Sequence, residues 1–367
     1  MPFPTKAAAV IAGLIFFAAP HDAGSAEAFR ADDAARYLAG MQPSAESPLM
    51  KFTRDAGWQQ HARAFDAAWK KLDREQISKI RIWSAEHLKE RRETLFYTFS
   101  GPDFLYANAF FPNASTYVLA GLEPVGRIPE ITERARNSLP GLRASLNTAL
   151  NLSFFITKHM RQQLSQGELS GTLPILYVFI ARSGNTIKEV SLVNLDKDGN
   201  ITPVDQARAR QAVDGVKIVF SRGDDAPQTL YYFRTDISDT GLKSSGFLKF
   251  CEKLAPGDAF LKSASYLLHR QSFSRIRQFL VDNSRTIAQD DSGVPLFAFK
   301  PDGWQLNLFG TYVGPIAVFP GHYQPKLRQL YQQGKPRKLD FGIGYRWRPN
   351  ESNILLAVKK PTKAASQ

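Results

Sequence analysis

The first part of the chain has the hydrophobic spacing of helices. Between Ala31 and Leu88, apolar residues recur at intervals of three and four positions, which places them on one face of a helix. The clearest run contains Trp58, Ala62, Phe65, Ala68, Trp69 and Leu72. This spacing predicts amphipathic helices over most of residues 31–88.

The pattern changes near Glu93. Residues 95–99 and 116–120 are rich in aromatic and β-branched side chains, which favours strands. The segment between them predicts a loop with a short helical turn. Helical spacing returns at residues 129–137 and 141–164.

The second half of the chain mixes the two periods. Strand-like runs separated by turn residues predict an antiparallel meander at 173–182, 189–195, 216–221 and 229–234. Helices are expected at 245–254 and 257–287. Short strands at 296–299, 304–312, 316–319, 342–347 and 353–358, with a basic helix at 325–332, complete the prediction.

These elements predict an α+β fold, with a helical N-terminal region followed by antiparallel meander sheets that carry helices on one side. The polar, glycine-rich residues 165–172 suggest a boundary. We therefore expect a helix-rich region with one pair of strands at 29–165 and an α+β region at 166–360. Residues 361–367 predict a disordered tail.

The first 28 residues predict a cleavable signal peptide. One lysine precedes an uncharged, largely apolar run at residues 7–19, and Ala26-Glu27-Ala28 has the small-x-small form of a cleavage site. Gly24-Ser25-Ala26 offers a second site. The run is shorter than the roughly 20 residues that span a bilayer. The sequence therefore predicts a periplasmic or secreted protein that does not span a membrane.

The net charge and its distribution say more about the partners of the protein than its overall composition does. The chain carries a formal net charge of +13, and the removed segment would contribute −1. Residues 326–363 contain ten lysines and arginines against two acids. In an exported protein such a cluster suits anionic glycans, lipid headgroups or cell-wall polymers, with nucleic acid an unlikely partner. Lys335, Arg337 and Lys338 are its candidate binding residues; the alternative is a solvated surface that maintains solubility.

The single cysteine, Cys251, cannot form an internal disulfide. It lies in a predicted helix, and its apolar surroundings favour a buried, unreactive thiol over a nucleophile. No cysteine follows the apolar N-terminal run, so the signal for lipid attachment is missing there.

Candidate catalytic residues gather around the first predicted strand pair. Ser100, Asp103 and Tyr106 follow one strand, and Glu123 follows the other. If the strands lie side by side, Asp103 and Glu123 meet at one edge of a sheet. A carboxylate pair with flanking tyrosines suits glycan binding or acid–base hydrolysis of a glycosidic bond. Alternatively, Asp103 caps the short helix and the aromatic residues belong to the core.

Three further polar residues are candidates. His269 lies in an apolar segment, where it is either a catalytic group or a core histidine with its hydrogen bonds made. Asp290 and Asp291 follow a predicted helix as candidate binding residues, and either hold a cation or simply end that helix.

Standard motifs for other chemistry are lacking. An Asp-Thr-Gly triplet at 239–241 and an Asp-Ser-Gly triplet at 291–293 resemble those of aspartic proteases, but only about 50 helix-rich residues separate them. The sequence has no paired-histidine zinc motif, phosphate loop or dinucleotide fingerprint. No metal or cofactor is therefore predicted.

Several runs resemble those of a family of exported bacterial proteins to which no activity is assigned. The similarity extends from about Phe96 to about Lys359. It rests on the runs TFSGPDFLYANAFFPNASTYVLAGLEPVG, SYLLHR, IAQDDSGVP, LNLFGTY and FGIGYRW. The resemblance implies a bacterial exported protein and supplies no catalytic residues.

The sequence thus leaves three functions open. The leading prediction is an exported protein that binds an anionic or glycan component of the bacterial envelope. The second is a metal-independent hydrolase of envelope or extracellular polymers that uses Asp103 and Glu123. The third is a structural or assembly protein without catalysis.

Overall fold

The structure is a computed structural model that describes residues 23–89, 93–133, 137–152, 169–205 and 213–361. Side chains are described from Ala31 onward, apart from residues 145 and 147–152. Most of the predicted signal peptide, the predicted boundary at 165/166 and residues 362–367 lie outside this part of the chain.

Ten α-helices are assigned in the described part of the chain. They are α1 (Ala23–Leu38), α2 (Ala56–Leu72), α3 (Ser78–His87), α4 (Phe104–Phe110), α5 (Leu139–Leu152), α6 (Leu173–Arg182), α7 (Gly241–Ser244), α8 (Phe247–Lys253), α9 (Ser274–Asn283) and α10 (Pro325–Gln333). A π-helical segment, Asp73–Ile77, joins α2 to α3. The helices predicted for residues 31–88 and the basic helix near residue 325 are therefore confirmed.

Ten strands of the described residues form one sheet. They are β1 (Thr94–Tyr97), β2 (Thr116–Gly121), β3 (Thr186–Leu195), β4 (Ile201–Pro203), β5 (Gly215–Ser221), β6 (Gln228–Arg234), β7 (Gly257–Leu261), β8 (Ser284–Gln289), β9 (Trp304–Gly310) and β10 (Asn353–Lys359). Their order across the sheet is β4-β3-β5-β6-β2-β1-β7-β8-β10-β9. Strands from both predicted regions of the chain thus contribute to a single sheet.

The centre of this sheet is parallel. Strands β6, β2, β1, β7 and β8 run in the same direction. The predicted antiparallel meander exists at one end, where β4, β3 and β5 lead into β6. At the other end β10 is antiparallel to both β8 and β9. The α+β class is therefore confirmed, with a mixed sheet in place of antiparallel sheets alone.

Helices cover both faces of the sheet, where the sequence predicted one. Alternation along β1 sends Leu95 and Tyr97 into one core and Phe96 into the other. The first core packs against helices α1–α6. The second packs against α8, α9 and α10. A central parallel strand is covered on both sides, as such strands are in α/β sheets.

Two predicted elements have the opposite type. Residues 173–182, expected as a strand, form α6, in which every residue but the last is buried. A helix buried all round shows no polar face, so its apolar run resembles a strand. The expected helix at 257–287 instead contains β7, two 3-10 segments, α9 and the start of β8. All five residues of β7 are buried, so this strand lacks an alternating pattern.

Smaller differences lie near the C-terminus. The strand expected at 296–299 is a 3-10 turn, Leu296–Ala298. Residues 316–319 and 342–347 form no strand, although Ile343 and Arg346 make an isolated bridge. The strands around residues 304–310 and 353–359 form as predicted.

Candidate functional site

A pocket of about 190 Å³ lies at the edge where the parallel strands end, hereafter the carboxyl edge. Residues that follow β1, β2, β6 and β7 line it. Numbered by their order along the chain, the five parallel strands are arranged 3-2-1-4-5, so β2 and β7 lie on opposite sides of β1 and the strand order reverses there. In open α/β sheets ligands bind at this switch in strand order.

The turn between β1 and α4 forms the floor of the pocket. The Ser100 hydroxyl donates to the carbonyl oxygen of Ala120 and accepts from the Ala120 amide. The Gly101 amide donates to the same carbonyl at 3.0 Å. Gly101 has a φ of +53°, which suits glycine and lets the chain reverse over the end of β2. These bonds fix the turn against β2.

Asp103 and Lys262 form a buried ion pair in the pocket wall. Lys262 Nζ lies 2.8 Å from Asp103 Oδ2, and the two side chains are 2% and 4% exposed. The Tyr97 hydroxyl also donates to Oδ2, at 2.9 Å. Burial, reinforced by Asp103, raises the pKa of Tyr97 well above its usual value, so the phenol stays a donor. Lys262 also lies 4.4 Å from the centre of the Tyr106 ring.

Asp103 caps α4 as well. Its Oδ1 accepts from the Tyr106 amide at 3.2 Å, which satisfies one of the free N–H groups at the start of the helix. The predicted capping role is therefore confirmed. Asp103 also lines the pocket, and its part in glycan binding or acid–base hydrolysis stays a prediction.

Glu123 brings a second carboxylate to the same pocket. Strands β1 and β2 pair in parallel, so the condition for Asp103 and Glu123 to share one sheet edge is met. Glu123 is 5% exposed, and the Tyr232 hydroxyl donates to its carbonyl oxygen at 2.8 Å. A Cβ at Gly121 would lie 2.5 Å from Glu123 Oε2. The carboxylate therefore occupies space that only glycine leaves open.

Three buried hydroxyls in the pocket lining have no hydrogen-bond partner. They belong to Thr98 after β1, Thr235 after β6 and Ser263 after β7. Buried polar groups in proteins are almost always paired, so an unpaired one calls for a missing partner. Three of them line one cavity, where a polar ligand group or an ordered water would satisfy them.

Ser263 also has an unusual backbone. Its φ of 63° and ψ of −90° place it outside the regions favoured by residues with a Cβ. The Ser263 amide donates to Asp290 Oδ2 at 3.0 Å, which holds the turn in this conformation. Backbone strain of this kind is concentrated at functional sites.

The rest of the pocket is largely apolar. The Phe99 and Phe273 rings lie 6.1 Å apart on one side. The remaining apolar lining comes from Leu122, Ile237, Ala264, Leu267 and Tyr345, and Asp236 adds a third carboxylate. Apolar walls with a few converging polar groups are typical of small-molecule sites.

Asp290 and Asp291 lie outside the pocket lining and hold the loops around it. Asp290 accepts from the amides of Ser263 and Ser292 and from the Ser292 hydroxyl. Asp291 accepts from the Tyr266 hydroxyl at 2.7 Å. Burial is the main factor that raises the pKa of both carboxyls. Their contacts are with the protein itself, and their predicted role in ligand binding stays a prediction.

His269 ends the 3-10 segment Ala264–His269 and is not one of the residues that line the pocket. Its Nε2 is 3.0 Å from the Gly293 carbonyl oxygen, and its ring is 5.2 Å from that of His322. Burial, with His322 adding to it, lowers the pKa of His269 to about 4. The histidine is therefore neutral at pH 7, and its catalytic role stays a prediction.

Three residues of the predicted basic cluster, Lys335, Arg337 and Lys338, lie beside the last strand of the sheet. Arg337 exchanges backbone hydrogen bonds with β9, the terminal strand. Its guanidinium lies 5.4 Å from the centre of the Phe309 ring. Lys338 pairs with Asp340 at 3.0 Å, and Lys335 is exposed. The order of strands places this cluster four strands away from β1.

Sequence reasoning missed Thr98, Thr235, Asp236, Lys262 and Ser263. Each comes directly after an apolar run that proves to be a parallel strand. The position of these residues, directly after apolar runs, was therefore a usable signal, because parallel strands bring the residues that follow them to one edge of the sheet. It was hidden by the helix predicted over β7 and the meander predicted to include β6.

Comparisons with known proteins add no relative: no family model, no curated protein and no solved structure matches the chain. Among the described residues, no group of three or more His, Cys, Asp or Glu side chains is placed to hold a metal ion. Within the same residues, none of the helices has the length and apolar character needed to cross a membrane.

Proposed function

We propose that the protein binds a ribonucleoside-type ligand in the carboxyl-edge pocket, with the ribose hydroxyls on Glu123. The proposal rests on one observation above all: carboxylates and three unpartnered buried hydroxyls converge at the switch point of a doubly wound sheet. In such sheets an acid about 20 residues after the first glycine turn binds the ribose. Glu123 follows Gly101 by 22 positions, at the end of the second parallel strand.

The first turn argues against a phosphate group on the ligand. A dinucleotide site leaves the N-terminus of the first helix open for pyrophosphate. Here the Asp103 carboxylate already accepts from the Tyr106 amide at the start of α4. Asp103, Glu123 and Asp236 against Lys262 also give the lining more negative than positive charge. An uncharged or cationic nucleoside suits this pocket better than a nucleotide.

The walls of the pocket suit a flat ring. Phe99 and Phe273 approach each other on one side, and Leu122 and Ile237 follow β2 and β6. A base placed among these side chains would bury apolar area, while the diol reaches the carboxylate of Glu123.

Calorimetry with two groups of ligands tests the proposal. Ribonucleosides, including 5′-substituted adenosines such as S-adenosylmethionine, are compared with their 2′-deoxy forms and with free monosaccharides. We expect ribonucleosides to bind best and Glu123→Gln to weaken them at least tenfold, because the charged acceptor for the diol is lost. The exposed Glu252→Gln serves as the matched control.

Equal binding of ribo- and deoxyribonucleosides would overturn the role of Glu123. Tighter binding of a monosaccharide than of any nucleoside would instead support the glycan ligand predicted from the sequence. If no compound of either class bound, the pocket would lose its proposed function. Hydrolysis by Asp103 and Glu123 is a separate hypothesis, since Asp103 is engaged by Lys262, Tyr97 and the start of α4.

A further inference from the structure

Exposed hydrophobic side chains are concentrated near the carboxyl edge. Of the six large ones in the described residues, Phe297, Val313, Val318 and Tyr323 lie in loops around β9. We call these four the apolar rim. A fifth, Leu122, lines the pocket. The sixth, Ile82, is on α3. Clusters of exposed apolar groups mark interaction surfaces, whereas scattered single residues do not.

The loop that carries most of the rim has no charge. Residues 311–324 contain neither Asp, Glu, Lys nor Arg, although Val318 is 76% exposed. The loop follows β9, which runs parallel to β8 because β10 is antiparallel to both. Its start therefore lies at the carboxyl edge. Phe319 stacks at 5.5 Å on Tyr345, which lines the pocket, so rim and pocket are neighbours.

Cations lie next to this uncharged loop. Arg346 donates to the carbonyl oxygens of Gly314 and Pro315, at 3.2 and 3.1 Å, and so anchors the loop. Arg348 is 64% exposed and lies 5.6 Å from the centre of the Trp347 ring. Arg346 and Arg348 each have a guanidinium nitrogen 3.8 Å from a carboxylate oxygen of Glu351, so these three side chains together carry one net positive charge. Arg277 lies 5.7 Å from the Phe297 ring. Protruding apolar groups with basic and aromatic residues beside them are typical of surfaces that lie in a membrane interface.

From this arrangement we propose that the apolar rim docks on an anionic phospholipid bilayer and turns the mouth of the pocket toward it. The charges match: the neighbouring arginines suit an anionic headgroup layer, and the chain has a net charge of +13. Phe297 and Val318 are 73% and 76% exposed, and such protruding side chains suit insertion between headgroups better than a fit to a folded partner. The inference places lipid contact at the rim, not at Lys335, Arg337 and Lys338.

Co-sedimentation of the full chain with phosphatidylglycerol–phosphatidylcholine vesicles tests this inference. We expect Val318→Asp to lower the partition coefficient at least tenfold, because an inserted valine is replaced by a charge. Ile82→Asp is the matched control, since Ile82 is 69% exposed on another surface. The N-terminal apolar segment is common to all variants, so their difference isolates the rim.

A second comparison tests the part of the arginines: Arg348→Glu is measured beside Lys338→Glu as its control. Arg348→Glu should lower partitioning on anionic vesicles about fivefold or more and leave partitioning on pure phosphatidylcholine unchanged. Added salt should lower the partition coefficient of the wild type on anionic vesicles, because it screens the charges.

Several results would overturn the inference. One is equal partitioning of Val318→Asp and wild type, and another is an equal loss in Ile82→Asp. A loss confined to Lys338→Glu would assign lipid contact to Lys335, Arg337 and Lys338. A dimer that Val318→Asp converts to monomer, with vesicle binding unchanged, would make the rim a subunit interface. Ligand binding is measured without vesicles, so the pocket proposal stands or fails separately.

Discussion

The buried pair of Lys262 and Asp103 gives the sharpest prediction. Replacing Lys262 by Met removes the cation but keeps a long apolar side chain. Asp103 is then left as a carboxylate whose side chain is only 4% exposed. Removing one partner of a buried ion pair costs about 3–5 kcal/mol. Because Tyr97 and the Tyr106 amide still donate to Asp103, we expect the lower end, about 3 kcal/mol in the free energy of unfolding.

Urea unfolding of four proteins checks this value: wild type, Lys262→Met, Asp103→Asn and the double variant. The loss of unfolding free energy in the double variant should be smaller than the sum of the two single losses, by roughly 2 kcal/mol. In the double variant both charges are gone, so no buried charge is left unpaired. Lys249→Met is the matched control. Its pair with Asp198 has a similar distance, 2.7 Å, but both side chains are exposed, so no measurable loss is expected.

The reasoning would be refuted by a Lys262→Met protein as stable as wild type. Strictly additive losses in the double variant would also refute it, because they would mean that the two charges do not interact. A nucleoside titration of the same variants then shows whether the pair also contributes to the pocket.

Three other predictions follow from single sites. Gly121→Ala should lower nucleoside affinity at least tenfold in calorimetry, because the new Cβ would lie 2.5 Å from Glu123 Oε2 and displace the carboxylate. Unchanged affinity would contradict the proposed role of Glu123 in binding. Between pH 6.5 and about 4 only the unfolded wild type binds a proton at His269, so the wild type should lose stability as the pH falls and His269→Gln should not. In urea unfolding the difference between the two free energies of unfolding should reach about 3 kcal/mol near pH 4. Parallel pH profiles of the two proteins would contradict this. The buried thiol of Cys251, its pKa raised by burial, should react with a colorimetric thiol reagent only in denaturant; rapid native labelling would contradict its burial.

Part of the site could be predicted from the sequence because its strands are short, aromatic and well delimited. The segments that became β1 and β2 have that character, and their side-by-side arrangement brings Asp103 and Glu123 into one pocket. The signal for Asp103 as a helix cap was also local. Both features depend on residues within about 25 positions of each other.

The other half of the site could not be predicted because it depends on direction and burial. Strand β7 is five residues long and buried throughout, so its pattern does not distinguish a strand from a helix. When β7 is not recognised as a strand, the sequence gives no reason to place Lys262 and Ser263 at the carboxyl edge of the sheet. The parallel pairing of β2 with β6, which brings Thr235 and Asp236 to the pocket, joins residues more than 100 positions apart. No local spacing carries that information.

The central position of β1 also has a consequence for how the chain folds. Its partner β7 begins about 160 residues later, as the hydrogen bond from Thr94 to Leu254 illustrates. At a synthesis rate of about 5–20 residues per second, β7 emerges roughly 8–32 s after β1. During that interval one edge of β1 offers unpaired backbone groups, a template for wrong pairing. Completion of the sheet must therefore wait until most of the chain has been made, and fragments that end before residue 257 should aggregate.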